Sequence, residues 1–370
     1  MYVANIKLEN FRNFKTLDLA LDKGFVVLCG PNGAGKTNFL ESIYYGGSLR
    51  RFPESSFSQL VRDGDEYFRI TIDLQNQESH RMEALSQARL NKFEHQFKLN
   101  QQKVPRAKYT SFLSLVSFLP QDLALLTRSP GGRRNYLDES LSAASAEYRH
   151  YLSLYDRTLK QRNELLRLAV GTGGEWPDEM HVWDTQLAGA GSQITAGRKK
   201  FLEFVNGNIG GVLGSLSAEL AGADFQYLKS GEENEGEFLL KLQANRAREK
   251  ETASTAIGPH RDDFVANIGG RVAAGYLSRG QMRAITLALK ILEKRYLEET
   301  LPRAPIMLLD DVFSEFDEGH QHRLTEFLET FNQVFLTTAH PEEVERFLPL
   351  TASVFSVDSG SVKKMANQHV

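Results

Sequence analysis

The N-terminal part of the chain alternates apolar and polar positions with a period of two. The run YVANIKLENFRNFKTLDLAL (2–21) alternates, turns at Arg12 and Asn13 and alternates again, which predicts an antiparallel hairpin. The next run, FVVLCG (25–30), is continuously apolar and ends in glycine, which is typical of a strand buried on both faces. Residues 38–49 follow with helical spacing, so this pattern predicts the start of an α/β unit.

The middle of the chain has a helical pattern, and strand patterns flank it. Apolar residues recur near steps of three, four or seven over 133–170 and again over 183–220, which predicts two helices of a hairpin. The breaker-rich GTGGEWP (171–177) is expected to end the first helix, and the acidic SGEENEGE (230–237) to form an exposed turn. The flanking strand patterns are YFRITIDL (67–74), HQFKLN (95–100), 306–312 and 332–338. The sequence therefore predicts an α/β lobe built from both ends of the chain, with an inserted helical lobe.

Composition narrows the function classes. The 370 residues are 41% apolar and 25% charged, which is ordinary for a globular protein large enough for about two domains. The net charge is −3, so nucleic-acid binding would need a local basic patch. The single cysteine, Cys29, is expected in a buried strand and fits a reducing, cytoplasmic compartment. Neither a signal-peptide pattern nor an apolar run of roughly 18 residues occurs, so we expect no membrane partner.

Residues 30–37 match the phosphate-binding pattern G-x-x-x-x-G-K-[ST] at every position, between an apolar strand and a helix. Glycines let the backbone wrap a phosphate, and the helix N-terminus supplies positive potential. We expect Lys36 to reach the β- and γ-phosphates of ATP, as a catalytic residue, and the Thr37 hydroxyl to bind Mg²⁺. The predicted nucleotide-binding residues of this loop are Gly30, Pro31, Asn32, Gly33, Ala34, Gly35, Lys36, Thr37 and Asn38.

A second apolar strand delivers acidic residues. In PIMLLDDVFSEFD (305–317), four apolar residues precede Asp310 and Asp311, and ligands bind at the carboxyl edge of such α/β strands. Asp310 suits a Mg²⁺-coordinating carboxylate. Asp311 is placed to orient or deprotonate the attacking water as a catalytic residue. Because aspartate is one methylene shorter than glutamate, we expect slow turnover.

The segment YLSRGQMRAITLALK (276–290) combines a polar head with an amphipathic helix. Ser278, Gly280 and Gln281 resemble the S-x-G-Q signature of ABC-type ATPases. The resemblance implies that this head closes over ATP held by the phosphate loop of a second copy, which makes an ATP-dependent homodimer. A simpler alternative is that Ser278 serves only as a helix N-cap.

Three smaller motifs fit the same scheme. Gln121 in FLPQDL (118–123) stands where this class carries a glutamine that contacts nucleotide-bound Mg²⁺, although it could be a surface residue. The run SEFD (314–317) resembles the D-loop of ABC-type ATPases, and this resemblance implies that Asp317 contacts the partner subunit. His340 in VFLTTAHPEE (334–343) is a candidate catalytic residue that senses the γ-phosphate, with Thr338 as a competitor.

Taken together, the motifs resemble the RecF family of bacterial recombination-repair ATPases, which is related to the SMC proteins. The resemblance covers nearly the whole chain. It is carried by IKLENFRNF, GPNGAGKTNFLESIY, FLPQDLALLTRSPGGRRNYLD, YLSLYDRTLKQRNELL, GPHRDDF, LSRGQMRAITLALK and LLDDVFSEFD. About 155 residues separate Gln121 from Ser278, which suits a short helical hairpin and excludes the long coiled coil of SMC proteins.

The resemblance implies an α/β ABC-type ATPase head with a phosphate-loop sheet and an inserted helical lobe. It implies lobe I over 1–122, helical lobe II over 123–296, and a completing segment over 297–370. It also implies ATP-dependent dimerisation on double-stranded DNA near gaps and weak, DNA-stimulated hydrolysis. Finally, it implies work with RecR and RecO in loading RecA.

DNA binding would need lysine and arginine side chains at phosphates. Arg133 and Arg134 are expected to be structural and to tie the lobes together, whereas His260 and Arg261 could be functional or could brace a turn. The candidates for phosphate contacts are Arg50, Arg51, Arg62, Arg106, Lys108, Arg198, Lys199 and Lys200.

Two other functions remain as alternatives. The chain could be an ABC-type ATPase subunit that serves a membrane or protein partner, and ATP-enhanced binding to gapped DNA would separate this function from the first. A monomeric phosphate-loop kinase would leave Ser278 and Gly280 without a role.

Overall fold

The two ends of the chain fold together. The computed structural model describes residues 1–52, 55–89, 92–171 and 176–365. The chain divides into one unit of Met1–Leu123 with Glu293–Val370 and a second unit of Ala124–Leu292. No helix in the described ranges is both long enough and apolar enough to cross a membrane.

Strands occur mainly in the first unit. In chain order, they are β1 (Tyr2–Phe11), β2 (Phe14–Ala20), β3 (Gly24–Cys29), β4 (Tyr67–Gln75), β5 (Ser79–Arg89), β6 (Lys92–Leu99), β7 (Gln102–Lys103), β8 (Leu115–Phe118), β9 (Ala223–Leu228), β10 (Asp263–Ile268), β11 (Arg271–Val272), β12 (Ile306–Asp310), β13 (Gln333–Thr338), β14 (Ser353–Asp358) and β15 (Ser361–Lys364).

Helices flank the sheets and fill the second unit. In chain order, they are α1 (Lys36–Ser48), α2 (Arg106–Thr110), α3 (Pro130–Ala144), α4 (Ala146–Gly171), α5 (Met180–Leu216), α6 (Glu235–Ala244), α7 (Arg246–Thr252), α8 (Arg279–Thr300), α9 (Glu318–Glu329) and α10 (Pro341–Glu345).

A six-stranded sheet in the order β15-β14-β3-β13-β12-β8 carries the candidate site. Strands β14, β3, β13, β12 and β8 run parallel, and β15 is antiparallel to β14. All five residues of β12 and all six of β13 are buried, which fits the apolar runs 306–309 and 334–336 within them. Cys29 is buried at the end of β3 as expected, and the parallel pairing brings the ends of β3, β12 and β13 to one edge.

A second, antiparallel sheet in the order β2-β1-β4-β5-β6-β7 forms the other layer of the first unit. The predicted hairpin is confirmed, because β1 pairs with β2 in a register that closes at Phe11 and Phe14. Helix α1 contributes Phe39, Leu40 and Ile43, each 0% exposed, to the core shared by both sheets. The α/β class predicted from the sequence is confirmed.

The second unit is mainly helical, and two local predictions need correction. The pattern over 133–170 is two helices rather than one, because Ser145 is extended between α3 and α4 and its hydroxyl accepts the N–H of Tyr148. The acidic segment 230–237 is not wholly a turn, because Asn234 caps α6 and its side chain accepts the N–H of Glu237. The predicted break over 171–177 falls largely on residues outside the described ranges.

Candidate nucleotide-binding site

The phosphate loop joins the end of β3 to the start of α1. Gly33 and Gly35 have φ angles of 80° and 109°, in the left-handed region that favours glycine. Gly35 is the N-cap of α1, and no side chain caps the helix there. The first amide groups of α1 are therefore available to an anion, which is the arrangement that binds phosphate.

Lys36 folds back over the loop that precedes it. Its Nζ donates hydrogen bonds to the carbonyl oxygens of Gly30, at 2.6 Å, and Pro31, at 3.1 Å. The side chain is 7% exposed. The ammonium group is therefore held above the loop, within reach of a phosphate that would replace these carbonyl contacts.

Thr37 and Asp310 meet although they lie 273 positions apart in the sequence. The Thr37 hydroxyl lies 3.0 Å from each carboxylate oxygen of Asp310. Burial raises the pKa of Asp310, and hydrogen bonds from Thr337 and Thr37 oppose the rise. A hydroxyl and a carboxylate side by side are the hard oxygen donors that Mg²⁺ prefers.

Asp311 follows with an unusual backbone. Its φ is 46°, in the left-handed region that is rare for residues with a side chain. Its N–H donates to the hydroxyl of Thr337 at 2.9 Å. The residue lies at the edge of the same cleft as the phosphate loop, one position beyond the carboxylate that faces Thr37.

These groups surround a cleft of about 150 Å³. The described residues include no cluster of three or more His, Cys, Asp or Glu side chains that could hold a metal on their own. Asp310 and Thr37 therefore fit Mg²⁺ only together with oxygens of a bound phosphate, which is how Mg²⁺ is commonly held. The lining residues are Asn32, Gly33, Gly35, Lys36, Thr37, Asn38, Asp310 and Asp311.

Asn13 supports the loop from outside, and sequence reasoning missed it. Its amide nitrogen donates to the carbonyl of Ala34 at 3.1 Å, and its oxygen accepts from Asn38 at 2.9 Å. A Cβ on Gly35 would collide with the Asn13 side chain. The position in the turn between β1 and β2 was readable from the sequence, but the contact to the loop was not.

A larger polar cleft of about 760 Å³ adjoins the first, because Asn38 lines both. Arg12 lines it and pairs with Glu41, which is 1% exposed. Arg62 also lines it and pairs with Asp65 at 3.1 Å. Arginine side chains therefore line a second cleft beside the phosphate loop.

The signature segment begins α8 with reciprocal hydrogen bonds. The Ser278 hydroxyl accepts the N–H of Gln281 at 3.2 Å, and the Gln281 side chain accepts the N–H of Ser278 at 2.9 Å. The N-cap alternative is therefore present as a capping box. Ser278 is exposed, and its hydroxyl proton is not used by this cap. Gly280 is half-buried in the first turn.

The other candidate residues lie outside the small cleft. Gln121 is half-buried in a 3₁₀ segment. This segment follows β8, which is the strand that pairs with β12. His340 is exposed and its N–H donates to the hydroxyl of Thr338, which is 3% exposed. Asp317 caps α9 by accepting the N–H of His320, which lowers the pKa of this carboxyl.

Two of the motifs that carry the resemblance form a half-buried network within the helical unit. Arg133 pairs with Asp263 at 2.6 Å, and Arg134 donates to the carbonyl of Asp262. These partners lie in the same unit, so the expectation that Arg133 and Arg134 tie the lobes is replaced by a role in bracing one unit. His260 accepts or donates at Tyr155, 2.6 Å away, and burial lowers its pKa to about 4.

The expected role of Arg198 in DNA binding is wrong. Its side chain is 3% exposed and pairs with Asp138 at 2.9 Å and Asp262 at 3.1 Å. A buried, doubly paired guanidinium cannot reach a DNA phosphate. Arg261, in contrast, is exposed, and its guanidinium donates to the carbonyl oxygen of Thr255.

The remaining basic candidates are at or near the surface. Arg51 and Arg106 donate to backbone carbonyls, and Lys199 pairs with Glu233 at 3.0 Å. Lys108 and Lys200 are exposed. Arg50 is half-buried, and its N–H is bonded to the hydroxyl of Ser48.

Comparison with known proteins places the chain in a family. The family model described as "RecF/RecN/SMC N terminal domain" matches residues 2–363. A protein of Clostridium tetani named "DNA replication and repair protein RecF" is 33% identical over 97% of this chain and 99% of its own length. The chain belongs to the RecF family. A RecF of Moorella thermoacetica is 36% identical over 90% of this chain and 88% of its own length.

Solved structures agree with this RecF-family assignment. A structure described as the recombination mediator protein "RecF-ATPrS in RecFOR pathway" superposes with a TM-score of 0.88, at 30% identity, over 99% of this chain and 98% of that chain. A RecF-ATP structure superposes with a TM-score of 0.86 at 29% identity, over 99% of this chain and 98% of that chain. The Smc head domain of Pyrococcus furiosus shares the fold. It superposes with a TM-score of 0.53 at 13% identity, over 98% of this chain and 96% of that chain.

Proposed function

We propose that this RecF-family chain is an ATP-dependent DNA-binding protein of recombinational repair and replication restart. The observation that carries the proposal is the meeting of Thr37 with Asp310 beside an open helix N-terminus. That pairing supplies a phosphate site and a Mg²⁺ site in one cleft. The RecF-ATP structures of relatives support ATP as the nucleotide.

The chemistry of nucleotide binding follows from the residues of the cleft. Lys36 exchanges its loop carbonyls for the β- and γ-phosphates, and the amides at the start of α1 bind the same charge. Thr37 and Asp310 would hold Mg²⁺, and the family resemblance adds Gln121, which lies outside the small cleft, as a further ligand. When bound, Mg²⁺ neutralises charge that develops on the phosphates. The wider cleft lined by Arg12 and Arg62 takes the nucleoside.

Hydrolysis depends on Asp311. Its carboxylate orients or deprotonates the attacking water, and His340 senses the γ-phosphate. The short reach of aspartate makes turnover weak, DNA stimulates it, and the step resets binding. Asp311 is the residue to test first because its neighbour Asp310 has a separate role at the metal.

Dimerisation uses the head of α8. Ser278, Gly280 and Gln281 of one protomer close over the triphosphate bound by its partner, and Asp317 contacts the partner across the same interface. The exposed hydroxyl of Ser278 supports this role, since its proton is free to donate to a phosphate oxygen. Each dimer then holds two ATP sites related by two-fold symmetry.

DNA is the ligand of the ATP-bound dimer. We expect duplex DNA near a single-strand gap to be held by local lysine and arginine side chains, among which Lys108 and Lys200 are exposed. RecR and RecO are the partners, and RecA is loaded as the result. The RecFOR pathway named for the structural relative supports these partners.

The deciding experiment measures mass by light scattering without nucleotide, with ADP and with ATP, each with and without gapped duplex DNA. We expect ATP alone to raise the mass toward a dimer and gapped DNA to join that dimer, with an affinity that salt weakens steeply. An ATP-dependent dimer that ignores DNA would instead favour an ABC-type ATPase subunit serving another protein or a membrane.

A further inference from the structure

A buried threonine links the two acidic residues that follow one another at the end of β12. Thr337 is 0% exposed and lies on β13 directly opposite Asp310. Its hydroxyl donates to Asp310 Oδ1 at 2.7 Å and accepts the N–H of Asp311 at 2.9 Å. One hydroxyl group therefore fixes both the carboxylate of Asp310 and the backbone of Asp311.

The chemistry of the three groups sets the direction of this chain of hydrogen bonds. An amide N–H can only donate, and an ionised carboxylate can only accept. A hydroxyl has one proton and two lone pairs, so it can join the N–H of Asp311 to the carboxylate of Asp310. Valine would fill the same space on the buried strand with neither function.

Asp311 depends on this contact more than a residue in an ordinary strand would. Its φ of 46° lies in the left-handed region, which is uncommon for residues other than glycine and which aspartate adopts with the help of local hydrogen bonds. Its N–H has Thr337 as partner twice, through the hydroxyl and through the carbonyl oxygen at 3.3 Å. The turn that brings Asp311 to the edge of the cleft is therefore anchored on one residue of the neighbouring strand.

We propose that Thr337 is a positioning residue for ATP hydrolysis, which holds Asp310 in its metal-binding orientation and fixes the backbone turn at Asp311. The proposal rests on the proposed ATPase function. Thr337 contacts the carboxylate that already faces Thr37, so it acts through Asp310 and Asp311 and not on the nucleotide itself. Thr337 should therefore affect metal binding and turnover, but it should not affect the affinity of the phosphate loop for ATP.

The test compares Thr337→Val, which removes the hydroxyl, with Thr337→Ser, which keeps it. Mn²⁺ affinity is measured by electron paramagnetic resonance on protein loaded with a non-hydrolysable ATP analogue, and kcat is measured with ATP and Mg²⁺. We expect Thr337→Val to weaken Mn²⁺ binding and to lower kcat, each on the order of tenfold, because outer contacts of metal ligands have effects of this size. Thr337→Ser should restore both, and ATP affinity without divalent metal should stay within about twofold throughout.

Thr110→Val is the matched control, since Thr110 is also a buried threonine but its hydroxyl bonds to the carbonyl of Arg106 in α2. Wild-type Mn²⁺ affinity in Thr337→Val would overturn the proposal, as would a loss of Mn²⁺ binding that Thr337→Ser fails to restore. The Mn²⁺ measurement decides the role of Thr337 even if the wild-type protein hydrolyses no ATP. Absent hydrolysis would count against the proposed ATPase function instead.

Discussion

The side-chain amide of Asn13 donates a hydrogen bond to the carbonyl oxygen of Ala34, 3.1 Å away, and so connects a β-hairpin turn to the phosphate loop. Asn13 also packs against Gly360, where an added Cβ would lie 2.5 Å from its carbonyl oxygen. The loop is therefore held by a turn near the N-terminus, which is itself packed on the turn between β14 and β15.

Replacing Asn13 tests this support. We expect Asn13→Ala to weaken ATP binding by roughly tenfold, because it removes two partly buried hydrogen bonds that shape the loop. Isothermal titration with ATP and Mg²⁺ measures the change. Asn76→Ala, at another turn between strands, is the control and should bind ATP like the wild type. Equal affinity in Asn13→Ala would remove Asn13 from the binding machinery.

Asp311→Asn separates binding from hydrolysis. The amide keeps the size of the side chain but can neither take a proton from water nor polarise it strongly, so kcat should fall by about a hundredfold or more. ATP affinity should be unchanged, because Asp311 is not the carboxylate that faces Thr37. Phosphate release and nucleotide titration measure the two quantities. Normal turnover in this variant would assign the water to another residue.

Ser278→Arg tests the role of the signature in dimerisation. A bulky cation at the exposed head of α8 should leave ATP binding to the monomer intact and abolish the ATP-dependent dimer. Ser153→Arg, on the exposed face of α4, carries the same change away from the head and should dimerise normally. Light scattering with ATP measures both variants. If Ser278 is only an N-cap, Ser278→Arg will cost stability and will still dimerise.

Substitution of Arg198 should lower the free energy of unfolding, whereas substitution of Lys200, two positions later, should not. Arg198→Ala leaves Asp138 and Asp262 without their buried partner, which should destabilise the fold by about 3–5 kcal/mol. Lys200→Ala is at the surface and should leave stability unchanged. Urea unfolding measures the difference. A stable Arg198→Ala variant with weakened DNA binding would contradict the structural role.

The pH dependence of stability should report His260. Burial lowers its pKa to about 4 in the folded protein, whereas an unfolded histidine titrates near about 6.5. Between these values the unfolded chain binds the extra proton, so stability should fall as pH drops from about 6.5 toward 4. His260→Gln should have a flatter free energy of unfolding over this range. An equal slope in both proteins would mean that His260 is not the group responsible.

The sheet and the phosphate loop could be predicted because each depends on residues that are close together in the sequence. The continuous apolar runs 25–29 and 306–309 marked β3 and β12, and the site residues Gly30 and Asp310 follow directly after them. Contacts between segments that are distant in the sequence could not be predicted from these patterns. The links from Asn13 to Ala34 and from Thr337 to Asp310 depend on strand order, which spacing alone does not determine.

The burial of individual charged side chains could not be predicted from the sequence either. Arg198 has the local sequence of a surface cation, next to two lysines, and nothing nearby in the chain indicates its carboxylate partners. Those partners come from α3 and from the segment before β10, and they meet Arg198 only in the folded helical unit. The acidic run 230–237 was misread for a related reason, since Asn234 starts a helix inside a charged segment.

The most direct measurement of the central claim, that each ATP is shared between two copies, mixes two inactive variants. Lys36→Ala removes the phosphate-loop cation and Ser278→Arg removes the signature head, so a mixed dimer holds one site with both elements intact. Only the mixed dimer holds a complete site, so the mixture should hydrolyse ATP well above the rate of either variant alone and below the rate of the wild type. A mixture no more active than either variant alone would contradict the shared site.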